Sequence, residues 1–79
     1  MDVCVRFTID AEASVGLLPR LLQPFAKRGL VPDWFLARRE GETMRVEMRV
    51  EGMDADAVRV VEGSLRAVVG VSGVVVGEG

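Results

Sequence analysis

Apolar and polar residues alternate with a period of two in several stretches of this chain, and two stretches of helical period lie between them. Val3, Val5, Phe7 and Ile9 alternate with Cys4, Arg6 and Thr8, which predicts a strand with one buried face. Asp10 to Ser14 is polar and reads as a turn, with Asp10 or Ser14 placed to cap a helix. From there apolar residues fall at Val15, Leu18, Leu21 or Leu22, and Phe25, the spacing of an amphipathic helix. Lys27 and Arg28 fit its last turn, where cations favour the dipole, and Gly29 is a natural stop. Pro19 suits this helix only if it begins near Leu17, and Pro24 removes one backbone bond, which predicts a bend.

After Pro32 and Asp33, Trp34–Arg39 reads as a second strand, and Glu40-Gly41-Glu42 as a tight turn. Thr43–Glu51 is the most regular strand of all: Met44, Val46, Met48 and Val50 alternate with Arg45, Glu47, Arg49 and Glu51. Gly52 breaks it, and Asp54 or Asp56 caps a second helix carrying Val58, Val61, Leu65 and Val68. Gly70 ends that helix, and Val71–Val76 is a last apolar strand. The order is βαββαβ, an α+β ferredoxin-like sandwich with a four-stranded antiparallel sheet and two helices on one face. No repeat or linker divides the chain, so residues 1–79 read as one domain. That fold alone does not define a function.

Composition narrows the choices. A chain of 79 residues is short, and one of this size buries only about 60% of its unfolded surface, so a partner would help stabilise it. Apolar residues make up 49% and charged residues 28%, enough for a core and an ordinary soluble surface. The net charge of −2 with interspersed signs gives no reason to expect nucleic acid or an anionic membrane as partner. No apolar run approaches the roughly 20 residues of a membrane span. One cysteine, Cys4, allows no internal disulfide and suits a reducing compartment, so the cytoplasm is the expected location.

The search for chemistry is negative. Metal transfer on this fold calls for paired soft ligands in the first loop, and the chain has one cysteine and no histidine. RNA recognition calls for aromatics on the central strands, where the third strand offers Met and Val on one face and charges on the other. Acylphosphatase-like chemistry calls for an asparagine to place water, and the chain has none. Ser14 and Ser64 have no recognisable base, Asp10 and Glu12 are better read as turn residues than as a carboxylate pair, and Cys4 as a small strand residue. Neither an enzyme nor a cofactor-binding protein is expected.

The segment Gly16-x-Leu18-x-Arg20-x4-Phe25-x2-Arg28-Gly29 resembles the first helix of ACT domains, small regulatory modules of amino-acid metabolism. The likeness runs over nearly the whole chain and is nearest to the small regulatory subunit of acetolactate synthase. It implies a homodimer joined edge to edge through the second strand, with a small amino-acid effector between the first loop of one chain and the second strand of its neighbour. The positions this carries over are Ala13, Val15, Gly16 and Leu17 on the loop, with Leu30 and Val31 opposite. Side chains that hold a ligand in the family are replaced here by Ala13 and Val31, leaving Asp10 as the carboxylate in reach. A helix N-terminus and a glycine that lets a ligand approach the backbone are physically suited to a carboxylate.

A two-residue Gly41-Glu42 turn puts Phe35 and Ala37 on the helix side of the sheet, beside Met44, Val46 and Met48. Trp34, Leu36 and Arg38 then fall on the open face with Arg45, Glu47 and Arg49. This register sets Arg38 against Arg45, a mildly unfavourable pair, while a slip by one residue buries Trp34 and exposes Phe35. In either case a large aromatic faces outward on an edge strand beside arginines, which reads as a contact surface for a partner. The expected function is a non-catalytic regulatory domain that binds an amino-acid effector, a larger catalytic subunit, or both. The alternative is a purely structural interaction module of the same fold that no longer binds ligand.

Overall fold

The structure is a computed structural model and describes residues 3–79. Its elements are β1 (Val3–Glu12), α1 (Leu17–Ala26), β2 (Trp34–Glu40), β3 (Thr43–Met53), α2 (Ala55–Arg66) and β4 (Val71–Glu78). The strands form one antiparallel sheet in the order β2-β3-β1-β4, so the expected βαββαβ sandwich is observed. The inward placement expected of Val3 lies outside the described side chains.

The core is apolar throughout. Phe7 and Ile9 from β1, Val46, Met48 and Val50 from β3, Leu17, Leu21 and Phe25 from α1, and Val61 and Leu65 from α2 are all buried. No polar or charged residue is buried among the described ones. The rings of Phe7 and Phe25 meet edge to face, with centroids 5.3 Å apart and planes at 80°, a favoured aromatic geometry.

β1 runs three residues further than its apolar alternation suggests. Asp10–Glu12 is not part of the turn, which is confined to the residues after it: Asp10 and Glu12 continue the strand opposite Arg45 and Thr43, with Ala11 buried between them. Alternation persists there with a small residue inside and acids outside, and the ladder to β3 holds it. The cap of α1 also differs from expectation. Neither Asp10 nor Ser14 caps it; the N-cap is Gly16, in left-handed geometry (φ 82°, ψ 1°) and without a side-chain hydrogen bond. Val15 therefore lies outside the helix, and the buried stripe is Leu17, Leu21, Phe25.

Starting at Leu17 makes Pro19 a first-turn residue that needs no intrahelical donor bond. The helix continues through Pro24 to Ala26, so Lys27 and Arg28 fall just past its last turn. The Gly29 amide donates to the Ala26 carbonyl (3.0 Å) and the Leu30 amide to the Phe25 carbonyl (2.9 Å), and Gly29 has φ 69°. These are the paired bonds of a Schellman stop.

β3 does not break at Gly52. The strand continues to Met53 through a register shift opposite Val3 and Val5, which Gly52 accommodates at φ 79°. Asp54 caps α2 as expected, its carboxylate accepting from the Ala57 amide at 2.8 Å. Arg66 fastens the other end of α2 to β4 by donating to the Val74 carbonyl at 2.7 Å.

The β2–β3 hairpin has the register read from the sequence, with Glu40 opposite Thr43, Arg38 opposite Arg45, Leu36 opposite Glu47 and Trp34 opposite Arg49. The like-charged pair is relieved locally: Arg38 takes Glu40 at 3.3 Å and Arg45 takes Asp10 at 2.9 Å. Phe35 does sit on the helix side, opposite Met48, yet it is not covered. β2 is an edge strand beyond the core, and its Trp34, Phe35 and Leu36 are 46%, 38% and 51% exposed.

Candidate functional site

The loop between β1 and α1 is held by its neighbours' backbones. The Glu12 amide donates to the Gly70 carbonyl and the Ala13 amide to the Glu42 carbonyl, both at 2.8 Å. The first turn of α1 is only loosely closed, with 3.3 Å bonds from the Leu17 amide to the Ser14 carbonyl and from the Arg20 amide to the Gly16 carbonyl. The amides of Val15, Gly16 and Leu18 make no hydrogen bond to the described residues. Arg20 leans over this loop: its Nη2 lies 3.4 Å from the place a Cβ on Gly16 would occupy. Free amides at a helix start beside a guanidinium make a small positive spot of the right chemistry for a carboxylate.

The residues named for a ligand are distributed unevenly around that spot. Val15 and Val31 are 96% and 80% exposed. Leu17 sends its side chain into the core and contributes only backbone to the loop, while Leu30 packs half-buried against the core. Gly16 and Leu30 stand at opposite ends of α1, whose ten residues span about 15 Å at 1.5 Å per residue. One chain alone therefore does not bring the two halves of the site together.

Asp10 projects from the open face of the sheet and is engaged by Arg45, with Nε at 2.9 Å from Oδ1 and Nη2 at 3.3 Å from Oδ2. The hydrogen bond from Arg45 and the charge of Asp10 raise the arginine's pKa above its ordinary value. Asp10 and Ala13 meet at an open groove of about 700 Å³ at the end of the sheet, shared with Glu12, Arg39, Glu42 and Ser72. Val15, Gly16 and Leu17 do not line it. Arg20 over Gly16 and Glu42 beneath Ala13 are the residues the sequence reading did not assign to this region. An arginine four residues after a helix-opening glycine was the available signal for the first; the second depends on a contact between distant segments and left no local trace.

On the open face Trp34 lies under the Arg49 guanidinium, 5.3 Å from Cζ to the ring centroid, within cation–π range. Arg49 is in turn paired with Glu47 at 3.1 Å. Leu36 and Arg38 follow along the same strand face. Among the described residues no three His, Cys, Asp or Glu side chains gather as a metal site. No helix of the described residues is long and apolar enough to cross a membrane.

Comparison with known proteins gives a consistent picture. The sequence matches the family described as the ACT-like domain over residues 1–78. No curated protein sequence matches. Among solved structures, the chain is similar to the ACT domain from GTP pyrophosphokinase of Chlorobium tepidum, with a TM-score of 0.84 at 16% identity, covering 96% of this chain and 99% of that one. It is similar to part of a homoserine dehydrogenase from Thiobacillus denitrificans, with a TM-score of 0.84 at 14% identity, covering 99% of this chain and 17% of that one. The regulatory subunit of aspartate kinase from Thermus thermophilus aligns with a TM-score of 0.72 at 17% identity, covering 95% of this chain and 50% of that one. At these identities the structural likenesses establish the fold.

Proposed function

This chain belongs to the ACT-like domain family, whose members are regulatory, ligand-binding modules, and from that premise we propose that it is a non-catalytic regulatory domain acting as a homodimer. The observation that carries this reading is β2. It is an unpaired edge strand with three consecutive large apolar side chains exposed, preceded by an exposed Val31. Such an edge invites pairing with another strand, and a second copy supplies an identical one.

Antiparallel pairing of two β2 edges inverts the partner. Its Leu30–Val31 end then lies at the same end of the joined sheet as the first chain's Gly16 loop. A small amino acid there would place its carboxylate on the Gly16 and Leu18 amides and Arg20, with Val15 and the partner's β2 start enclosing its side chain. An effector bound this way is regulatory because it strengthens the assembled form by mass action. The likeness of the Gly16–Gly29 segment to the small subunit of acetolactate synthase supports a branched-chain amino acid as effector and a larger catalytic subunit as the regulated partner. The single thiol, Cys4, supports a cytoplasmic setting.

A second reading, an interaction module without effector, is favoured by one observation: Asp10, the carboxylate in reach of the loop, is already held by Arg45. Thermal unfolding separates the two. A dimer melts higher at high than at low protein concentration, and an effector raises the midpoint further. Valine, leucine or isoleucine raising the midpoint supports the first reading. A concentration-dependent midpoint indifferent to every amino acid supports the second, and a concentration-independent one removes the dimer from both.

A further inference from the structure

The helical layer, on the other side of the sheet from Trp34, carries a charge arrangement of which the regulatory reading uses only Arg20. From Leu17 to Gly29 the chain holds Arg20, Lys27 and Arg28 and no acid. None of these three forms an ion pair with a described residue, a state they share with Arg6 and Arg39 on the strands, whereas Arg38, Arg45, Arg49, Arg59 and Arg66 are all paired. Their spacing of seven and eight residues puts them on one stripe along α1 and its cap. A chain with a net charge of −2 has thus gathered uncompensated positive charge on one surface.

That stripe borders a groove. Two adjoining depressions of about 320 and 480 Å³ run along the seam between α1 and α2 and share Pro24, Lys27 and Ser64. The α2 wall is uncharged, made by Val60, Ser64 and Ala67, and Val60 is exposed. Open space lies above Gly63 on the same helix. The acids of α2 are committed elsewhere, Asp56 to Arg59 and Glu62 to Arg66. The dipole at the end of α1 accounts for Lys27 and Arg28 electrostatically. It does not account for an exposed valine across from them.

We propose that this seam docks an acidic segment of a partner protein, its carboxylates on Lys27 and Arg28 and an apolar side chain seated against Val60. Charge complementarity selects an acidic partner, and an apolar wall beside a basic one suits a chain bearing both kinds of side chain rather than a free anion. The proposal rests on neither the Gly16 effector site nor β2 pairing, so it stands or falls separately from them.

The test uses a fluorescein-labelled amphipathic peptide of Leu, Ala and Glu, followed by fluorescence anisotropy and by amide chemical shifts of the protein. Binding that weakens as salt rises is expected, with shifts confined to Gln23–Arg28 and Val60–Ala67. The double substitution Lys27→Glu, Arg28→Glu lowers affinity by about tenfold or more; Lys27→Gln, Arg28→Gln is the milder substitute if the first lowers the melting temperature. Absence of binding overturns the proposal, as does binding that ignores both variants or maps to β2. Equal binding of polyglutamate overturns the apolar seat, and preference for phosphatidylglycerol vesicles over the peptide replaces the protein partner with a membrane surface.

Discussion

One chemical change, glycine to alanine, is expected to have opposite effects at two places in this fold. Gly16 caps α1 at φ 82° and ψ 1°, a left-handed conformation that costs an L-residue with a Cβ roughly 1–2 kcal/mol. The new Cβ would also meet Arg20 Nη2 at 3.4 Å, so the guanidinium must give a little. Against this, alanine restricts the unfolded chain and returns about 0.4–1 kcal/mol. The balance for Gly16→Ala is a loss of about 1 kcal/mol, which in a domain of this size lowers the melting midpoint by about 4–8 °C. Gly63 lies inside α2 with nothing within 4 Å of a new Cβ. There alanine removes the helix penalty of glycine and stabilises by about 0.5–1 kcal/mol, so the midpoint rises by several degrees. Calorimetric or circular-dichroism melts at one fixed protein concentration give both values, and urea titration checks them near room temperature. Midpoints moving in the same direction, or an unchanged midpoint for Gly16→Ala, would refute the conformational argument for the loop.

Phe25→Ala removes a fully buried ring that meets Phe7 edge to face and is expected to cost about 3–5 kcal/mol; loss of the circular-dichroism melting transition is the readout. Asp54→Ala takes the α2 cap from the Ala57 amide and should cost about 1 kcal/mol, visible as a lower urea midpoint with an unchanged slope. Arg45→Ala breaks the bidentate pair with Asp10. Because both side chains are largely exposed, the melting midpoint should stay within experimental scatter, and a clear drop would mean the pair organises the sheet end.

Much of this fold is written in period-two and helical patterns. The strict alternation of Thr43–Glu51 and the two-residue Gly41-Glu42 turn lead to the observed hairpin register, with a one-residue slip of β2 as the alternative that the structure excludes. Legibility fell where local polarity and tertiary pairing disagree. Asp10 and Glu12 look like turn residues until Arg45 and Thr43 are set opposite them. Val15 matches the helical spacing but falls before a glycine cap, so it ends in solvent. Gly52 looks like a break, yet positive φ lets it serve as a bulge within β3. Phe35 lies on the face that the hairpin register predicts, but a face is buried only as far as the helices extend over it. The candidate ligand loop was legible as a glycine before a helix. Its relation to Leu30 and Val31 was not derivable from the residues, because within one chain α1 holds them apart.

The central claim is that β2 is the seam of a homodimer. Sedimentation equilibrium of the whole chain and of Trp34→Glu tests it most directly, with circular dichroism to confirm that the substitution leaves the half-exposed site folded. The wild-type chain should sediment at twice its 8.6 kDa mass at micromolar concentration, and Trp34→Glu should shift the population toward the monomer. A monomeric wild type, or a dimer that Trp34→Glu leaves intact, would contradict the account.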